Sequence, residues 1–378
     1  MPAKLSGAVG IVPAQRKSMR EINLGALLVL MIAAPLIGCA QSADDRYPFV
    51  RDDKVGFIDY QGHEVIPLRF GSGGDTAHFN NGLAPVFEAN RGFGYIDTSG
   101  KFVIGPTMYW GWGGPFHEGV AGVMIIGKNG ALNRPAWIDR NGQVVFSGMG
   151  TEGAYFSDGL MPMPRGGKWG FVNKNFQFVI KPQFDYAYEF SEGRAGVTIN
   201  HKSGFIDASG RIVITPKYDM AWPFRGGLAR VRYDVPNGTV MTEEGEQPNY
   251  RHQYGYLDHQ GNEVIPLQFA DATHFSEGYA MVVPSNFKLF AIIDRAGTFM
   301  HQPEFEAAEE FHEGLAVACI KGKCGYVDTS GSWAIQPTFS YARSFWHGLA
   351  RVAWKDGDYG YIDKSGQTVW RKNALAQK

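Results

Sequence analysis

The sequence is short of the features that announce a chemistry. Only 3 of its 378 residues are cysteine, too few for the disulfide framework of a small secreted domain or for a cysteine-built zinc site. Charged residues make up 19%, below the ~25% usual in globular chains. The 36 Lys+Arg and 37 Asp+Glu leave a net charge of -1, with no block of five or more like charges. A nucleic-acid binder carries a basic footprint, and none is present. There is no H-E-x-x-H, no G-x-S-x-G and no phosphate loop, and the ten histidines are scattered, as at His117, His312 and His347. No catalytic residue, metal or cofactor is therefore expected.

Long apolar runs are also scarce, and the one that stands out lies near the start. Arg20 precedes an apolar stretch from Leu24 to Ile37 that ends in Leu36-Ile37-Gly38-Cys39. It is shorter than the ~20 residues of a spanning helix and has the layout of a secretory signal. L-I-G-C resembles the lipobox of bacterial lipoproteins, and that resemblance implies lipidation of Cys39. Residues 1–38 are then the signal, with 1–18 an upstream-start artefact if Met19 is the true start, and 39–46 a tether. With Ala40 and Gln41 after the cysteine, the expected address is the outer membrane of a Gram-negative host.

What the chain does have is glycine, 49 residues, and 14% aromatics, arranged in a repeat. One phrase returns nine times, starting at Gly56, Gly94, Ala136, Gly170, Gly204, Gly255, Ala291, Gly325 and Gly360; G-F-I-D-A-S-G at Gly204 is typical. The offsets are 38, 42, 34, 34, 51, 36, 34 and 35, so a unit near 34 residues carries insertions. Asp followed three residues later by Gly fits a turn in which the carboxylate caps local N–H groups and Gly takes φ > 0. The aspartates Asp59, Asp97, Asp139, Asp207, Asp258, Asp294, Asp328 and Asp363 are accordingly read as turn parts, since D-x-x-G lacks the oxygen ligands of a calcium loop.

After the turn comes a strand such as Val213-Ile214, expected to stop at the proline two residues on. An aromatic, Ala and Phe then follow at spacing three, as Phe184, Ala187 and Phe190 or Phe339, Ala342 and Phe345. That spacing suits a short helical turn or coiled connector. A third strand alternates buried Ala195 and Val197 with Arg194 and Thr198. The array runs from 47 to 370, with 371–378 a polar tail. It counts as nine three-stranded meanders joined by eight connectors, with no unit split between the termini. The fold class expected is all-β, an open, curved β-solenoid-like array, the alternative being a closed, β-propeller-like one.

This unit is similar to that of the WG-repeat family of bacterial proteins, W-G-F-I-D-x-x-G-x-x-V-I-x-P-x-F followed by F-x-E-G-L-A-x-V, although the literal Trp-Gly stands in register only at Trp169-Gly170. The resemblance implies a repeat scaffold that mediates interactions, with no common catalytic residues.

Positions alike in every unit serve the scaffold, so function is sought where units differ. Tyr109, Trp110 and Trp112 sit among glycines, and rings on such a backbone suit a sugar face or a partner's apolar side chain. Trp222 is a further candidate contact. The stretch from Val235 to Gln253 carries Glu243 and Glu244 and reads as a long polar loop, either functional or disordered. Cys319 and Cys324 flank a two-residue turn at Lys321-Gly322 and face each other within disulfide reach. The function expected is a lipid-anchored binding or scaffolding module for a protein or an envelope glycan, with a structural spacer or a carbohydrate-active enzyme as alternatives.

Overall fold

The computed structural model describes residues 45–372 apart from 72–76, 108–109, 128–132, 149, 151–153 and 356. The expected signal 1–38, the expected lipidation site Cys39 and Tyr109 lie outside the described residues. All regular elements within the described residues are β-strands.

The unit at 186–218 shows how the phrase folds. Tyr186–Ser191, Arg194–Ile199, Lys202–Ile206 and Ile212–Tyr218 pair in that order as an antiparallel meander. Asn200 and His201, at φ 49° and 64°, join the two middle strands through the mirror-image turn that suits strand twist. Asp207 makes the next turn, its Oδ1 accepting the N–H groups of Ser209 at 3.0 Å and Arg211 at 3.2 Å. Gly210 closes that turn at φ 85°, donating to the Asp207 carbonyl at 2.9 Å. The same carboxylate bonds recur at Asp97, Asp139, Asp258, Asp294, Asp328 and Asp363, and Asn173 makes them with an amide oxygen. These oxygens are committed to backbone amides.

Two expectations about the unit need correction. The connector is a strand, not a helical turn or coil: Trp110–His117, Tyr186–Ser191, Met220–Ala221, Ala307–His312 and Tyr341–Ala342 each pair with the strand that follows, so these units have four strands. The aromatic, Ala and Phe keep to one buried face because a bulge interrupts the alternation between Ala187 and Phe190. Nor does proline stop the strand before it. Ile212–Tyr218 runs through Pro216, which sits where the register slips between Ser203 and Phe205. A bulge on an outermost strand leaves proline no ladder bond to forfeit. The bulge also explains the glycine that opens the phrase. A Cβ at Gly204 would lie 2.3 Å from the Ile214 carbonyl oxygen, closer than any side chain tolerates.

Every unit but the fourth, whose turn ends in Phe176, packs the glycine of this turn on a neighbouring unit. A Cβ at Gly210 would meet Ile180 at 3.0 Å, and one at Gly366 would meet Ile335 at 3.2 Å. The first unit makes this contact with the last: a Cβ at Gly62 would stand 2.4 Å from the Val369 carbonyl oxygen. Tyr47, Phe49 and Ile58 share a buried cluster with Leu349, Tyr359, Tyr361 and Trp370. Tyr47 donates to the His347 carbonyl at 2.6 Å, and Asp45 takes His347 Nδ1 at 2.7 Å.

The stretch from Val235 to Gln253 is a piece of sheet. Ala229–Thr242 and Gly245–Leu257 form a long two-stranded ribbon in place of the expected polar loop, with Glu243 and Glu244 in the turn at its tip. Cys319 and Cys324 are a directly paired cross-strand couple joined by a disulfide, their Cα atoms 4.0 Å apart.

Candidate binding site at the connectors

Between the constant Ala and Phe of a connector stand two residues that change from unit to unit. They are Tyr188-Glu189, Trp222-Pro223, Thr273-His274, Glu309-Glu310 and Arg343-Ser344; Gly114-Pro115 precedes Phe116 and His78 precedes Phe79. The flanking pair is held fast, since Ala187, Phe190, Ala221, Phe224, Ala272, Phe275, Ala342 and Phe345 are all buried. The variable pair is thus displayed from a rigid base.

Four of these connectors meet at one cavity of about 750 Å³. Its wall takes His78 from the first connector, Gly114 and Pro115 from the second, Glu309 from the seventh and Arg343 and Ser344 from the eighth. The end units supply Tyr47, Tyr341, Trp346, Arg351 and Tyr361. Residues more than 250 positions apart in sequence therefore line one space. Tyr341 and Trp346 are 48% and 38% exposed, enough to offer ring faces to a ligand. Tyr47 is buried, and desolvation with the nearby Asp45 and Glu313 carboxylates raises its phenol above the ordinary range. It acts as a neutral hydrogen-bond donor.

Bonds between connectors fix the polar members. Ser344 donates to Glu309 Oε2 at 2.9 Å and Tyr155 to Glu189 Oε1 at 3.1 Å. Arg225 reaches past one whole unit to Glu310 Oε2 at 3.1 Å. Burial first, and the Glu189 carboxylate second, push the Tyr155 phenol up to about 12.

The contacts chosen from sequence fall in different places. Trp110 is a core residue, 8% exposed and edge-on to Tyr95, so it is not a free ring on a permissive loop. Trp112 lies in the same strand, opposite Met124. Glu243 and Glu244 sit at the ribbon tip and do not line the cavity. Trp222 does occupy a variable connector position, half-buried and stacked on Tyr254 at 6.0 Å. Sequence reasoning missed Arg343, Trp346, Tyr341 and Glu309. The variable pair within a constant frame was the signal that would have found two of them.

Seven stretches, 56–90, 93–128, 169–202, 204–234, 254–283, 290–324 and 325–357, match the WG containing repeat family and together cover more than half of the chain. The chain belongs to that family. The phrases at Ala136 and Gly360 fall outside the matched WG stretches yet fold alike, with Asp139 and Asp363 each capping two turn amides. The array is also similar in fold to a solved structure titled as the eukaryotic initiation factor, with a TM-score of 0.60 and 11% identity over 86% of this chain and 95% of that one. Weaker likenesses include BamB from Moraxella catarrhalis, TM-score 0.39 at 10% identity over 77% of this chain and 91% of that one, and Kluyveromyces lactis Hsv2p, TM-score 0.36 at 9% over 78% and 94%. No curated protein matches the sequence.

Proposed function

We propose that this WG-repeat chain is a lipid-anchored binding module of the cell envelope whose array closes on itself, so that the connectors surround an axial cavity that receives a protein or glycan partner. Closure is supported by the Gly62 to Val369 packing and by the propeller-like likeness at TM-score 0.60. The anchor rests on the L-I-G-C string ending at Cys39, which sets the array beside its membrane, the outer one in a Gram-negative host.

The observation that carries the binding reading is the coincidence of variability and location. At four of the connectors, residues that differ between units line the cavity, whereas a spacer needs no such difference. Exposed Tyr341 and Trp346 beside Arg343 give the combination of flat apolar faces and a directional donor found in binding hot spots. Among the described lining residues Glu309 is the one carboxylate, whereas glycosidic cleavage generally uses a facing pair, and this favours recognition over hydrolysis.

The test is photo-crosslinking in the native envelope with a photoreactive residue at Trp346 or, separately, at Met241 on the ribbon. A discrete adduct from position 346 supports the cavity. An adduct from 241 alone, or from neither, removes it.

A further inference from the structure

In several units the residue after the turn aspartate reaches back to the connector turn of the preceding unit. Lys174 pairs there with Glu118 at 3.2 Å, and His259 with Glu192 at 3.2 Å. Arg140 holds the same place, but Asn81 stands two residues after Phe79 where Glu118 follows Phe116 and Glu192 follows Phe190. The guanidinium therefore meets an amide residue in place of a carboxylate. Its Nη2 donates to the Asn81 carbonyl at 3.0 Å, and its central carbon lies 5.6 Å from the Phe116 ring centroid. Among the described residues no carboxylate pairs with it.

This exposed guanidinium borders a niche of about 600 Å³, a volume usual for small-molecule sites. Asn81, His117, Glu118, Tyr155 and Ser157, from three successive connector turns, share its wall. His117 stacks on Tyr155 with ring centroids 4.3 Å apart, and among the described residues its ring nitrogens have no hydrogen-bond partner. Burial pushes its imidazole below the ordinary histidine range, with the Glu118 carboxylate opposing. Ser191 and Ser276 donate to the phenylalanine carbonyl of the next connector at 2.7 and 2.6 Å, whereas Ser157, in the same slot, makes no side-chain hydrogen bond among the described residues. Glu118, the one carboxylate among the described lining residues, is engaged by Lys174 and by the Gly159 amide at 3.3 Å.

We propose that Arg140, His117 and Ser157 form an oxyanion site, which takes the carboxylate or phosphoryl group of a small ligand. Elsewhere the repeat frame supplies a carboxylate to the cation in this place; with Asn81 there, an anion from outside fills that role. A guanidinium carries five N–H donors in a planar fork that suits either oxyanion, and Arg140 spends one of them on Asn81. The Phe116 ring and the Asn81 carbonyl hold it before the ligand arrives, which lowers the ordering cost of binding. The niche lies between early units, so it does not depend on the meeting of the end units or on the axial cavity.

The test is a histidine-observed NMR titration of the full chain with inorganic phosphate and, separately, with acetate at constant ionic strength. The His117 signal, identified by its loss in His117→Gln, is expected to shift saturably and its titration midpoint to rise as the anion binds. Asn81→Glu, which restores the carboxylate of the other turns, and Arg140→Gln should each weaken binding about tenfold or more; Arg140→Lys should weaken it less. Arg295, which donates to the Gly226 carbonyl in the equivalent place, is the control, and Arg295→Gln should leave the affinity unchanged. The tighter-bound probe identifies the oxyanion as phosphoryl or carboxylate. Absence of a saturable shift with both probes, or parental affinity in folded Asn81→Glu and Arg140→Gln, overturns the site. An equal loss in Arg295→Gln overturns it too, because that marks a general effect of charge.

Discussion

Tyr361 donates its hydroxyl proton to the Pro48 carbonyl at 2.8 Å, joining residues 313 apart in the chain. The same tyrosine elsewhere bonds the unit that comes next. Tyr95 donates to Gly114 at 2.8 Å, Tyr256 to Thr273 at 2.7 Å and Tyr326 to Arg343 at 2.8 Å. For the last unit, the next one is the first. Since the first unit has no described connector strand ahead of it, its opening strand accepts the bond.

Removing that hydroxyl tests the junction. Tyr361→Phe and Tyr326→Phe should each lose ~1 kcal/mol of stability, the usual net worth of one such bond. Denaturant titration measures both. A loss in Tyr326→Phe with none in Tyr361→Phe would mean that the end units are apart in solution.

The opening glycine of the phrase is fixed by close approach. Gly204→Ala drives a methyl into the Ile214 carbonyl at 2.3 Å and should cost ~1–3 kcal/mol or more. Gly105→Ala meets nothing within 4 Å and has no positive φ, so it should be neutral or gain up to ~1 kcal/mol. Thermal unfolding of the pair separates a steric demand from mere backbone freedom.

Trp110→Ala should behave as a core truncation and cost about 3–5 kcal/mol. Trp346→Ala, exposed at the cavity, should leave the melting temperature close to that of the parent and weaken partner capture. Reversed outcomes would return the ligand contact to Trp110.

Asp207 supplies an acid-side signature. The Ser209 hydroxyl, then the Arg211 amide and guanidinium, hold its carboxyl down at about 2. A folded value below the unfolded one stabilises above the ordinary carboxylate range and is lost as pH falls towards 2. Asp207→Asn should flatten stability against pH over that window and still make the turn, as Asn173 does for Asn175 and Gln177. An unchanged acid slope would contradict this.

Much of the unit was legible because its physics is local. D-x-x-G dictates a turn within five residues, and the pair Cys319 and Cys324 is set by a two-residue hairpin. The misreadings arose where distant partners decide. Phe184, Ala187 and Phe190 at spacing three look helical until a bulge in a paired strand produces the same buried face. Val235 to Gln253 reads as a long polar loop because its residues are polar, yet two strands pair with each other there without a core beneath them. Trp110 was misplaced because sequence shows its glycine neighbours and not Tyr95. The cavity was the least visible feature: Arg343 and His78 are neighbours only through the meeting of the end units.

That meeting is the claim on which the cavity and its ligand depend, and a distance settles it. Spin labels at Asp53→Cys and Lys355→Cys, with Cys39→Ser and the native disulfide intact, place one probe in each end unit for pulsed electron resonance. Contact between the first and last units predicts one narrow distribution at short distance. A broad distribution, or one centred at the far longer separation of two free ends, would contradict the account.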